Sequence, residues 1–134
     1  MSFSIEIAVR SYELDALGHV NQAVYHQYAE LARVAAFEAA GVSFDTLIRE
    51  QTSPVMLASQ ISFRRELRAG DTVTVTCETK FGSGKTFQMD QKILKADGTL
   101  SAELSSTIGL MDLRARKLIA GPREVLEAAG ATFE

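Results

Sequence analysis

The stretch Asp15-Ala16-Leu17-Gly18-His19-Val20-Asn21-Gln22-Ala23-Val24-Tyr25, running on from His26 to Gly41, decides the fold. Asn21 is a good helix N-cap, because its side-chain oxygen can accept a hydrogen bond from an early helical N–H. From Gln22 to Ala40 most residues are strong helix formers, and Gly41 supplies the usual terminator one step past the end. This helix is apolar almost all round: Val24, Tyr25, Tyr28, Leu31, Val34, Ala35 and Phe37 leave only a thin polar stripe of Gln27, Glu30, Arg33 and Glu38. Such a helix belongs in the middle of a core. Seven alanines between positions 23 and 40 would let a sheet wrap it closely.

Working outward, Phe3, Ile5, Ile7 and Val9 alternate with Ser2, Ser4, Glu6 and Arg10, which predicts a half-buried strand over residues 2–10. Ser11 to Val20 has no sustained period and reads as a loop. Beyond the helix, a short helical turn is expected at Phe44 to Glu50, then strands at Ser53–Leu67, Thr72–Phe81, Thr86–Lys95 and Ser101–Leu113. Ala69-Gly70-Asp71, Gly82-Ser83-Gly84-Lys85 and Ala96-Asp97-Gly98 are the turn signals between them. Val73, Val75 and Cys77 alternate against threonines and Glu78, the pattern of a sheet with one wet face. Pro122 opens a short helix running to about Ala129. A strand, a long apolar helix and then hairpin-connected strands describe one α+β domain over residues 1–134, an antiparallel sheet packed on a central helix. The open edges of such a sheet need pairing, which favours an oligomer.

Composition narrows the function. Fourteen Lys plus Arg against 17 Asp plus Glu give a net charge of −3, so there is no general basic field for nucleic acid or an anionic membrane, and an anionic ligand must be held by a local patch. Cys77 is the single cysteine and cannot form an internal disulfide, and the polar start MSFSIEIAVR lacks a signal-peptide core. A reducing, cytoplasmic setting is therefore expected. No apolar stretch is long enough for a membrane span.

The loop before the long helix concentrates the chemistry. A carboxylate (Asp15), an imidazole (His19) and a carboxamide (Asn21) fall within seven residues, just before a helix N-terminus with unpaired N–H groups and about half a positive charge. That end suits a reaction that develops negative charge on a carbonyl oxygen. Each residue also has an architectural alternative. Asp15 could cap its loop by bonding backbone N–H groups, His19 could donate to a loop carbonyl, and Asn21 is foremost a cap. His26 sits one turn into the helix as a structural residue, and Asp15, His19 and His26 lack recognisable metal-ligand spacing. Glu30 and Arg33, spaced i, i+3, most simply form a helix-surface pair.

The run D-A-L-G-H-V-N-Q-A-V-Y, with Glu30 and Arg33 in Y-A-E-L-A-R, resembles the signature of the hot-dog-fold acyl-CoA thioesterases of the 4-hydroxybenzoyl-CoA thioesterase family. I-S-F-R-R-E-L-R-A-G-D-T-V-T-V, Ile61 to Val75, is similar to the same family's second strand and Gly-Asp turn. The resemblance covers about the first two thirds of the chain. It implies a curved antiparallel sheet around one helix, joined edge to edge with a second subunit, and hydrolysis of an acyl-CoA thioester without metal or organic cofactor. It further implies Asp15 as the catalytic carboxylate and Gln22 as the residue whose backbone N–H polarises the thioester carbonyl. The same loop resembles plant acyl-carrier-protein thioesterases with a D-x-N-x-H-V-N pattern. Here Leu17 replaces the middle Asn, which leaves Asp15 as the main candidate and gives His19 a loop-shaping or orienting part in the catalytic site. Glu30 is secondary, since a related branch uses a helix carboxylate.

The implied substrate makes Asn21 and Tyr25 candidate contacts to the acyl thioester, with Tyr25 and Tyr28 as pocket walls. Coenzyme A carries phosphates, so Arg64, Arg65 and Arg68 at a strand end and Lys85 in its glycine turn are candidate phosphate contacts. The spacing Gly82-x-Gly84-Lys85 is not that of a nucleotide-binding loop. A homodimer or homotetramer is expected, with Pro54 to Ser62 contributing across the interface. Two other classes stay open: a hot-dog enoyl-thioester hydratase or dehydratase, and a non-catalytic acyl-thioester binding protein.

Overall fold

In the computed structural model, which describes residues 3–133, the chain runs β1 (Phe3–Ala8), a 3₁₀ turn (Ser11–Glu13), α1 (Gln22–Ala40), α2 (Phe44–Arg49), β2 (Thr52–Phe63), β3 (Thr72–Phe81), β4 (Thr86–Lys95), β5 (Leu100–Asp112), β6 (Lys117–Leu118) and α3 (Pro122–Ala128). The strands form one antiparallel sheet in the order β1-β3-β4-β5-β2, with the two-residue β6 paired to β5. Ser2, assigned to the first strand from sequence, lies outside the described residues.

Local chemistry sets the bounds of α1. Asn21 Oδ1 accepts from the Ala23 N–H at 2.9 Å, and Gly41 closes the helix at φ +96°. A Cβ on Gly41 would lie 2.7 Å from the carbonyl oxygen of Gly130, so glycine is what allows α1 to end against the C-terminal turn. The first strand stops at Ala8 rather than Arg10: the N–H of Val9 still donates to the carbonyl of Asp71 opposite, but the Asp71 N–H turns back to Arg68, so the ladder loses its return bond. β2 ends at Phe63 rather than Leu67: the N–H groups of Arg64 and Arg65 both converge on the carbonyl of Ser101, which breaks the register. The 3₁₀ turn and β6 are too short to leave a period in the sequence.

Tyr25, Tyr28, Ala29, Ala32 and Phe37 face the core, and α1 lies across β1, β3 and β4. Ala29 and Ala32 are fully buried and bring the helix close to the sheet. The near-complete apolar circumference is not used within one chain, however. Leu31 and Val34 remain 51% and 39% exposed, because β2, at the sheet edge, lies largely beyond the reach of α1.

Two apolar clusters fill the interior, one around Tyr28, Leu67, Val75 and Ile93 and one around Phe37, Leu47, Phe87 and Leu126. Gln91, 2% exposed, is a buried polar residue of this interior. Its Nε2 donates to the carbonyl of Ala29 at 2.9 Å, and its Oε1 accepts from Arg33 at 3.1 Å. The expected Glu30–Arg33 pair is therefore absent among the described residues, since Arg33 turns inward and burial lowers its pKa. Burial pushes the Cys77 thiol up to about 12, so it is a neutral packing group at physiological pH.

Candidate active site

The loop carrying Asp15 is closed on itself. Its N–H donates to the carbonyl of His19 at 2.7 Å, the N–H of Gly18 donates back to the Asp15 carbonyl at 3.0 Å, and Leu14 bridges Val20. Gly18, at φ +79°, makes that tight turn possible. The carboxylate of Asp15 divides its work. Oδ1 accepts from the N–H groups of Leu17 at 2.9 Å and His19 at 3.2 Å, while Oδ2 has no hydrogen-bond partner among the described residues. The capping alternative thus describes one oxygen and leaves the other available.

Gln22 is the first residue of α1. Its N–H has no acceptor among the described residues, because the position four residues earlier lies in the loop and Asn21 Oδ1 is taken by Ala23. A 19-residue helix adds its dipole at this point. Asp15, His19, Asn21, Gln22 and Tyr25 line one open cleft of about 530 Å³, closed on the sheet side by Phe63, Arg64 and Arg65. Tyr25 is 4% exposed and meets Phe63 edge-on at 5.1 Å. Burial raises its pKa, which keeps its hydroxyl protonated.

The cations are unequal. Arg64 is bound to Glu103 at 2.9 Å, and Arg68 lies 3.3 Å from Glu66 and 3.4 Å from His19 Nε2. Arg65 donates to the carbonyl of Arg64 at 3.0 Å and has no carboxylate partner among the described residues. His19 therefore sits beside Arg68, its backbone bridged to the same residue. Lys85 is not brought to the cleft. It adjoins Gly109, in register with Val55, at the opposite end of β2 from Phe63.

Sequence reasoning missed Glu13. This carboxylate is 7% exposed, accepts from the Tyr28 hydroxyl at 2.6 Å and the Arg10 N–H at 2.8 Å, and its own carbonyl accepts from Asn21 N–H at 2.9 Å. It ties the entry of the Asp15 loop to the second turn of α1. Burial and the carboxylate acceptor both raise the pKa of Tyr28, keeping its hydroxyl protonated. Nothing in the run Arg10-Ser11-Tyr12-Glu13 marks one acidic residue as buried.

Two other hollows frame the cleft. The larger of the two, about 790 Å³, lies on the outer face of the sheet among charged side chains such as Lys80 and Asp90, paired at 3.0 Å, and holds none of these groups. A second, apolar crevice of about 430 Å³ lies farther along α1 and contains Glu30 and Arg33. Among the described residues no three His, Cys, Asp or Glu side chains are grouped to hold a metal ion.

The family model of the thioesterase-like superfamily matches residues 9–129. The chain is 31% identical over 123 residues to the long-chain acyl-CoA thioesterase FadM of Escherichia coli, covering 91% of this chain and 92% of FadM. It is 32% identical over 91 residues to the chloroplastic acyl-acyl carrier protein thioesterase ATL3 of Arabidopsis thaliana, covering 68% of this chain and 48% of that one. The crystal structure of YbaW, a probable thioesterase from Escherichia coli, superposes with a TM-score of 0.84 at 30% identity, covering 96% of this chain and 98% of its own. A sheet curled against one long helix, an anchored carboxylate ahead of that helix and a match along nearly the whole chain agree: this protein belongs to the thioesterase-like superfamily and has the hot-dog fold.

Proposed function

We propose that this thioester hydrolase cleaves an acyl-CoA to a carboxylic acid and free CoA, with Asp15 and the N-terminus of α1 as its catalytic machinery. The observation that carries this reading is the division of labour at Asp15, one oxygen anchored and one free, in the same cleft as the unpaired Gln22 N–H. The thioester carbonyl oxygen would sit on that N–H, where negative charge developing in the transition state meets a fixed donor and the helix dipole. Asp15 then either attacks the carbonyl carbon, giving a mixed anhydride that water cleaves, or takes a proton from the attacking water. In both routes the C–S bond breaks and CoA leaves as the thiol. His19, beside Arg68, orients the rim, and Asn21 holds the helix start. CoA is favoured over a carrier protein because the likeness to FadM runs through nearly the full length of both chains, whereas that to ATL3 spans 68% of this chain and 48% of ATL3.

Thiol release from a panel of acyl-CoAs tests the reaction. Hydration of an enoyl-CoA without free thiol would overturn it. The freest cation, Arg65, gives a sharper check of CoA recognition: Arg65→Ala should raise KM several-fold for acyl-CoA and leave KM for the matching acyl-pantetheine thioester within twofold. Equal effects on both substrates would place Arg65 outside phosphate recognition.

The active unit in this reading is at least a dimer in the cytoplasm. β2 is an unpaired edge with Met56 and Leu57 44% and 45% exposed, and a two-fold pairing of this edge is the simplest way to satisfy it. Antiparallel pairing sets the Val55 end of one β2 beside the Phe63 end of the other, which would carry Lys85 toward the cleft from the second copy. Light scattering during dilution should show a dimer or tetramer throughout the active range. A fully active monomer would refute this assignment.

A further inference from the structure

Glu13 is a buried carboxylate that takes no part in the chemistry described above. Its Oε1 gathers two donors from different parts of the chain, the Tyr28 hydroxyl at 2.6 Å and the Arg10 N–H at 2.8 Å, while Arg10 Nε lies 3.7 Å from Oε2. Its main-chain carbonyl takes the N–H of Asn21 at 2.9 Å. One residue thus joins three segments: the chain leaving β1 at Arg10, the cap that precedes Gln22, and the second turn of α1. The loop needs such a fastening. Its bonds between Asp15 and His19 and between Gly18 and Asp15, with the bridge from Leu14 to Val20, are internal, so they give the loop a shape without fixing it on the helix. Its far half is tied to the bend after β2, where the Val20 N–H donates to the Leu67 carbonyl at 2.8 Å and His19 bridges Arg68. Its near half carries Asp15, two residues past Glu13. Among the described residues, the Glu13–Tyr28 bond is the one hydrogen bond from this half to the body of α1.

Tyr28 lies about 9 Å along the helix axis from Gln22. At 2% exposure it is held on all sides by the core, and it does not line the cleft, so the pocket-wall part expected for it from sequence is not the one it plays. A directional bond to such a fixed point sets orientation as well as distance. The reaction needs both, since the Asp15 carboxylate and the Gln22 N–H act on the same carbonyl group, and a misplacement of about 1 Å costs roughly 10²-fold in rate. We propose that Glu13 and Tyr28 are positioning residues, which hold the Asp15 carboxylate in the relation to the Gln22 N–H that the transition state requires while touching neither substrate nor reacting atoms. This inference rests on the thioesterase reading above.

The test is thiol-release kinetics on the full chain, at a temperature well below the melting point of every variant. Tyr28→Phe should lower kcat about tenfold and Glu13→Ala at least about thirtyfold, each with KM within about twofold. Glu13→Gln keeps an oxygen for both donors and should bring kcat back to within about threefold of the unaltered protein. Leu126→Ala, in the apolar cluster around Phe37 and Phe87, is the control: it should melt earlier and keep kcat within about twofold. Amide hydrogen exchange is read in parallel, and the N–H groups of Arg10 and Asn21 should exchange faster in Tyr28→Phe but not in Leu126→Ala. Unchanged kcat in a folded Tyr28→Phe protein, a loss confined to KM, or a Glu13→Gln protein as slow as Glu13→Ala would overturn the proposal. Absence of thiol release from the unaltered protein would instead sink the hydrolase reading. The exchange rates would then still decide whether Glu13 and Tyr28 fix the loop on the helix.

Discussion

Asp15→Asn lowers kcat at least about 10²-fold while KM stays within a few-fold, because the substitution removes a group that acts chiefly in the transition state. The structure makes this variant unusually informative. An Asn side-chain oxygen can still accept from the N–H groups of Leu17 and His19, so the anchoring done by Oδ1 survives. Only the charge and basicity of the second oxygen are lost. Asp15→Ala should be equally inactive but should also melt earlier, since its loop loses both bonds. Thiol-release kinetics with a parallel thermal scan separate the two effects. Near-normal turnover by a folded Asp15→Asn protein would end the assignment. Glu30→Gln belongs beside it, because a larger loss there would move the carboxylate role onto the helix.

The second large effect is expected in stability, at Glu13. Glu13→Ala strips the acceptor from the buried Tyr28 hydroxyl and from the part-buried Arg10 N–H at once. Stranding the buried hydroxyl and loosening the part-buried N–H costs about 2 to 3 kcal/mol, which for a chain of this size lowers Tm by roughly 6 to 10 °C. Tyr28→Phe is the milder counterpart, since Glu13 then keeps the Arg10 N–H and loses one bond. It should cost about 1 to 2 kcal/mol. Equal melting temperatures for Glu13→Ala and the unaltered protein would show that water replaces these bonds at no cost.

Much of this architecture is legible in the sequence wherever the deciding interactions are local. Asn21 and Gly41 bound α1 through their own side chain and backbone, and period-two alternation marks β1 and β3. The Asp15–Gln22 segment is readable for the same reason, because turn, cap and helix start are contiguous. What escapes is set from far away in the chain. The break after Phe63 depends on the carbonyl of Ser101, the inward turn of Arg33 on Gln91, and the burial of Glu13 on Tyr28. Lys85 looks like a neighbour of the arginines in composition, yet the strand order places it at the other end of the sheet. The apolar circumference of α1 signals contact on all sides, and within one chain only part of it is covered, with Leu31 and Val34 left exposed.

The strand order also bears on how the chain comes off the ribosome. Among the described residues β2 pairs only with β5, so it emerges long before its partner and spends that interval without a ladder on either side. With about 40 residues separating the end of β2 from the start of β5, synthesis alone imposes a wait of roughly two to eight seconds. β2 carries no charged residue from Thr52 to Phe63, and its built-in obstacles to promiscuous pairing are Pro54 near its start and the register shift between Met56 and Ala58. Nascent-chain handling and expression temperature therefore bear on yield through this strand first: slow translation prolongs its exposure, and crowding of unfinished chains turns the same bare edge toward aggregation.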